Sequence, residues 1–209
     1  MKIVIFGATG MVGKQLVKQS LFKEYSVKAF GRNVFTENLP EDKNLELVQG
    51  ALFDEGQLLN AIKGCDAILS ALGGNADTDD KTRSLGMKKI VGQMEKAGVK
   101  RIIAVGGLGV LNATEDKLVM EQENFPPEYI PVSEEHKKAL GYLQSSSLDW
   151  TFVCPPMIVE GDPTGIFTTQ ADYLPKPNKF RISTGDLALF MLNELTKNEY
   201  LRQRVGISN

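Results

Sequence analysis

Short apolar runs rich in β-branched residues alternate along the 209-residue chain with longer stretches in which apolar residues recur every three or four positions. The short runs are KIVIFG (2–7), YSVKAF (25–30), LELVQG (45–50), DAILSALGG (66–74), RIIAVGG (101–107), DWTFVCPP (149–156) and KFRIST (179–184). They read as strands. The longer stretches, 11–22, 55–63, 82–97, 133–146 and 185–197, read as helices; Leu187, Phe190, Met191 and Leu195 on the last share one face. Each helix follows a strand, so the strands should be parallel and joined by right-handed crossovers. The runs are apolar nearly throughout, as in strands covered on both faces. The predicted fold is α/β: a Rossmann-type, three-layer, doubly wound parallel sheet with a small C-terminal substrate lobe, in a single domain over 1–209. In STGDL, Ser183 or Thr184 is the expected cap of the last helix.

Two stretches break the rhythm, 109–131 and 160–178. Both follow late strands, whose carboxyl ends border the ligand crevice of an open α/β sheet, so each is a candidate lid or else a surface excursion. A net charge of −2 provides no electrostatic footprint for nucleic acid or an anionic membrane, which leaves a small molecule as the expected partner. The apolar runs are too short and glycine-rich for a membrane span, and the first strand-like run begins too early for a signal peptide, so a cytoplasmic protein is expected. Cys65 and Cys154 form no metal spacing and read as reduced thiols, Cys154 as a small buried hydrophobe.

After the first run comes GATGMVG, with Gly7, Gly10 and Gly13 opening a helix. One glycine allows a sharp turn, one lets backbone N–H groups approach a pyrophosphate, and one lets helix and strand pack closely. The second strand ends in FGRN. An acidic residue there would bind the ribose of NAD; Arg32 instead suits the 2′-phosphate of NADP, with Asn33 as a possible further hydrogen bond.

GATGMVG, GRN, GCDAILSALGG, RIIAVGG, LDWTFVCPPMI and ISTGDLALFMLNEL together resemble the atypical short-chain dehydrogenase/reductase group that includes NmrA-like proteins and the biliverdin-IXβ/flavin reductases. EEH ahead of a helix, PP after the sixth strand and the terminal STGDLALFML are similar to the flavin reductase branch, which reduces flavins and some tetrapyrroles or quinones with NADPH. The resemblance implies that Gly7, Thr9, Gly10, Met11 and Val12 line the pyrophosphate and that Arg32 meets the 2′-phosphate. It implies further that Leu52 and Phe53 flank adenine, that Leu72 and Gly73 pass under the cofactor, and that Pro155, Pro156 and Met157 hold the nicotinamide. Lys137 matches a position near the nicotinamide ribose. Three positions depart from the pattern: Ala51 stands for a carboxylate, Gly107 for a serine, and Met157 for a histidine.

The Tyr-x-x-x-Lys pair of ordinary short-chain dehydrogenases is absent, since Ser146 follows Tyr142 by four and Ser133 follows Tyr129 by four. Carbonyl and epimerase chemistry thereby lose their usual proton donor, whereas a conjugated ring accepts hydride with less need of one. His136, the chain's one histidine, has three readings: a proton donor or hydrogen-bonding wall of the substrate pocket with an ordinary pKa, a solvated first-turn residue between Glu135 and Lys137, or a structural contact to the lid. Glu134 and Glu135 read as first-turn charges, Trp150 as core, and Asp77, Asp79 and Asp80 as a solvated run lacking a metal-loop continuation. The expected function is NADPH-dependent reduction of a flavin, quinone or similar planar acceptor. The alternative is an NADP(H)-binding sensor of the NmrA type, which acts through a protein partner.

Overall fold

The computed structural model describes residues 1–74 and 80–209. Its first half follows the predicted rhythm: β1 (Lys2–Phe6), α1 (Met11–Phe22), β2 (Ser26–Gly31), β3 (Leu45–Gln49), α2 (Glu55–Ile62), β4 (Ala67–Ser70), α3 (Thr82–Ala97) and β5 (Arg101–Val105). Then come α4 (Ile130–Gln144), β6 (Asp149–Cys154), β7 (Met157–Val159), β8 (Thr168–Ala171), β9 (Arg181–Ser183), α5 (Thr184–Lys197) and β10 (Gln203–Ser208). The main sheet has the order β3-β2-β1-β4-β5-β6-β10-β8. Its chain direction of growth reverses between β1 and β4, which is where a doubly wound sheet opens a crevice.

Helices cover both faces, as the all-apolar strands require. On one face α2, α3 and α4 bury Leu58, Ile90, Met94 and Leu143 against Phe6, Ile68, Ile102 and Phe152. On the other α1 and α5 bury Leu16, Val17, Leu187 and Met191 against Ile3, Ile5, Leu69 and Val205. Local signals set the helix starts: Asp54 accepts from the Gln57 N–H at 3.0 Å, and Ser183, not Thr184, caps α5 by accepting from the Asp186 N–H at 2.9 Å.

Two expectations about the sheet need correction. The sheet is not wholly parallel, because β8 runs antiparallel to β10 at the edge. The run 179–184 does not join it; β9 pairs with β7 in a separate two-stranded sheet. The last strand, β10, lies in a stretch with only two large apolar residues, Val205 and Ile207, around Gly206, where a Cβ would overlap the Tyr173 carbonyl. A close approach of backbones, and not a long apolar run, makes that strand. Helix α4 also begins three residues early, since Pro131 is accepted in a first turn that needs no N–H from it.

The stretch 109–131 is fastened to the sheet edge. The Arg204 guanidinium donates to the Val110 carbonyl (2.7 Å), the Asn112 side chain (3.0 Å) and Asp172 (2.8 Å), while Val110, Leu111 and Met120 are buried. A second anchor holds the loop after β7: the Asp186 carboxylate accepts from the N–H groups of Thr164 and Gly165 and from the Asn209 side chain. Burial opposes the Asp186 charge, but Asn209 and these donors outweigh it and lower the pKa.

Candidate functional site

A cavity of about 870 Å³ lies across the carboxyl ends of β1, β2, β4 and β5. At its centre the chain leaves β1 through Gly7, whose φ of +76° is strained for any residue with a side chain. A Cβ there would also stand 2.7 Å from the Ala71 carbonyl carbon. A Cβ on Gly13 would overlap the Gly7 carbonyl oxygen and stand 2.8 Å from Ala8 Cα, so only glycine lets α1 approach β1 this closely. Gly10 is the N-cap of α1; no side chain caps the helix and its first turn holds no acidic residue. Free N–H groups and the positive end of the helix dipole therefore face the cavity, as phosphate binding requires. The glycine loop fits a dinucleotide pyrophosphate on these grounds.

Of the residues singled out in the sequence, Gly7, Thr9, Gly10, Met11 and Val12 line the cavity, as do Arg32, Leu52, Phe53, Leu72, Gly73 and His136. Arg32 directly follows β2; its carbonyl accepts from the Gln49 side chain at 3.0 Å, and the exposed guanidinium forms no ion pair among the described residues. Five others lie outside the wall. Asn33 opens a turn, its carbonyl accepting from Thr36. Lys137 pairs with Glu121 at 3.5 Å. Pro155 is buried, its carbonyl held by the Leu108 N–H at 3.1 Å, and Pro156 follows it as β6 ends. Met157 is exposed on β7, and the neighbouring Ile158 reaches the cavity instead. No residue of 109–131 or 160–178 lines it. Asp77 and Asp79 lie outside the described residues, among which no cluster suited to a metal ion occurs.

His136 departs furthest from expectation. It sits in the second turn of α4, is 9% exposed, and turns edge-on to the Phe152 ring with centroids 6.3 Å apart. The solvated first-turn reading is thus overturned. So is the ordinary pKa: burial first and the Arg83 guanidinium second push it down to about 3, with Glu135 opposing. The imidazole is neutral at pH 7, and no hydrogen bond holds it among the described residues. Glu135 is not a first-turn surface charge either. It is buried, accepts from the Ser84 hydroxyl and pairs with Lys138 at 2.9 Å; burial opposes its charge, yet these partners lower its pKa.

The sequence reading missed Thr82 and Arg83 at the start of α3, Val105 and Gly106 at the end of β5, and Ile158. Arg83 donates to the Gly74 carbonyl at 2.8 Å, and burial lowers its pKa against the influence of Asp80 and Glu135. Position after β4 was the available signal for Thr82 and Arg83. Gly86, inside α3, was another: a Cβ there would stand 2.6 Å from Leu52 and 2.9 Å from Leu72, so this helix glycine seats two leucines of the wall. Cys154 plays no nucleophilic part, because burial pushes its thiol up to about 12.

Residues 7–198 match the model of a family described as NAD(P)H-binding. The chain belongs to this NAD(P)H-binding family. The match spans the glycine loop and every cavity residue except Phe6. Among its relatives is YwnB of Bacillus subtilis, a protein without assigned function, 27% identical over 99% of this chain and 98% of its own. A Burkholderia pseudomallei protein provisionally named as exported has a solved structure at 32% identity and TM-score 0.87, covering all of both chains. SP1627 of Streptococcus pneumoniae, provisionally named an NADH-flavin reductase, matches at 25% identity and TM-score 0.85 over 100% of this chain and 99% of its own. The family, with its oxidoreductase-like fold, accords with the resemblance to atypical short-chain dehydrogenases/reductases. Among the described residues no helix is long and apolar enough to cross a membrane.

Proposed function

We propose that the protein is an NADPH-dependent reductase that delivers hydride to a flavin, quinone or other planar conjugated acceptor in a reducing cytoplasm. The observation that carries this reading is the composition of the cavity beyond the glycine loop: a neutral His136 beside apolar Leu72, Val105 and Ile158, with no tyrosine among the described lining residues. Tyr142 lies instead beneath Lys88, whose Nζ is 5.6 Å from the ring centroid, and Tyr129 is exposed. Without a tyrosine–lysine pair, reduction of an isolated ketone lacks its proton source, whereas a flat conjugated ring spreads the charge it gains.

Nicotinamide, when bound, supplies the hydride. The chain's residues bind and orient: Gly10 and the first turn of α1 hold the pyrophosphate, and Arg32 selects the 2′-phosphate. Leu52 and Leu72 exclude water. His136 donates a hydrogen bond to the acceptor atom that gains electron density, and the balancing proton comes from water, because an imidazolium is not populated at pH 7. The cavity volume lies near the top of the range of about 300–1,000 Å³ for small-molecule sites, consistent with an acceptor stacked beside a dinucleotide.

The test is loss of reduced-nicotinamide absorbance with FMN, FAD, riboflavin and simple quinones, after NADPH binding has been established by fluorescence. Saturable turnover with one of these acceptors is the expected result. His136→Ala should then lower kcat by about ten- to a hundredfold and leave the Kd for NADPH within about twofold. Tight binding with no turnover on any acceptor would overturn the reductase reading in favour of a sensor that acts through a protein partner.

A further inference from the structure

The run VGGLG at the end of β5 contains three glycines, each with a different side chain in the space its own would fill. A Cβ on Gly106 would stand 2.7 Å from Phe152 Cδ1, and one on Gly109 2.7 Å from Ser133 Cβ. A Cβ on Gly107 would stand 2.7 Å from His136 Cδ2 and 3.2 Å from His136 Nε2. Backbone conformation does not demand glycine here: none of the three has a positive φ, and Gly107 is extended at φ −146°, ψ 153°. Packing does. Ser133 and His136, one turn apart on α4, rest on Gly109 and Gly107, and the Phe152 ring stands beside the imidazole.

We propose that Gly107 is the positioning residue of the acceptor end, its missing side chain being the seat of the His136 imidazole. Positions 107 and 136 then compete for one space beside the cavity, and a hydrogen-bond donor can be supplied there from either. A methyl group at 107 leaves the ring little retreat, since Phe152 stands on one side and the Ser133–Gly109 contact limits any shift of α4. The ring must swing from its place. The catalytic consequence rests on the reductase reading; the seat itself rests on packing alone.

The single histidine makes the test direct, because its imidazole NMR signals cannot be confused with another's. Gly107→Ala should shift those signals and lower kcat by about tenfold or more, with the Kd for NADPH within about twofold. Adding His136→Ala vacates the seat, so the double variant should melt no lower than His136→Ala alone. Gly107→Ser with His136→Ala places a hydroxyl where the ring edge was and should turn over about fivefold or more faster than Gly107→Ala with His136→Ala. Wild-type imidazole signals in Gly107→Ala would overturn the seat, as would a double variant that unfolds where His136→Ala does not. Equal turnover of the serine and alanine double variants would overturn the exchange of donors. If the wild-type protein binds NADPH and reduces no acceptor, the reductase reading falls, while the signals and melting of these variants still decide the seat.

Discussion

The two ends of the cavity are built from different materials. At the end proposed for the dinucleotide the available groups are backbone N–H donors of the first turn of α1, and the close approaches are between backbones: Gly7 against Ala71, Gly13 against Gly7. At the end proposed for the acceptor the lining side chains come from α3, α4 and β7, namely Arg83, His136 and Ile158, and the close approaches are of side chains to glycine. A backbone site is defined by where the chain turns, so its function survives changes in neighbouring side chains. A side-chain site is defined by which residue happens to fill a space.

The sharpest break of that comparison is Gly13→Ala. No side chain can yield to the new methyl, so we expect a loss of more than about 3 kcal/mol in denaturant unfolding, together with loss of NADPH binding. Next in size, Arg32→Ala should raise the Kd for NADPH by about thirtyfold and that for NADH by less than about twofold; equal effects would remove Arg32 from the choice of cofactor.

The pH dependence of stability tests the acceptor end. In the unfolded chain His136 titrates near 6.5, in the folded protein near 3. Between these values the unfolded state holds the extra proton, so stability is full above about pH 6.5 and falls as pH drops. The loss should be about 2 kcal/mol between pH 7 and pH 5, and His136→Asn should abolish most of it. The lowered carboxylates, Glu55, Glu121, Glu135 and Asp186, have ordinary values of 4.5 or below, so the stability they contribute is lost mainly below about pH 5. Smallest of all, Lys137→Ala removes only an exposed pair with Glu121 and should change the Kd for NADPH by less than about twofold.

What was legible in the chain follows the same division. GATGMVG was legible because glycine spacing along one strand–turn–helix unit is a local feature, and FGRN because it ends β2, which brings Arg32 to the cavity wall. The helices with strong apolar faces were equally plain, and α1 and α3 begin and end where periodicity places them. Illegible were features that depend on segments distant in sequence. The burial of His136 needs Phe152 and Gly107, and its pKa needs Arg83 from another helix. The strand β8 is short and β10 sparsely apolar, and their pairing with each other and of β10 with β6 makes them strands. Pro131 concealed the start of α4 because a proline in a first turn looks the same, in sequence, as one that ends a loop.

The difference between Gly13 and Gly107 also bears on how relatives of this protein diverge. At Gly13 the obstacle is the main chain, which no change of a neighbouring side chain moves aside, so a relative that keeps this loop geometry is expected to keep glycine there. At Gly107 the obstacle is one replaceable side chain. Replacing His136 first opens the space at 107 to a side chain, so on the proposed reading a donor passes from α4 to the loop after β5 in two steps taken in that order, without rebuilding the fold.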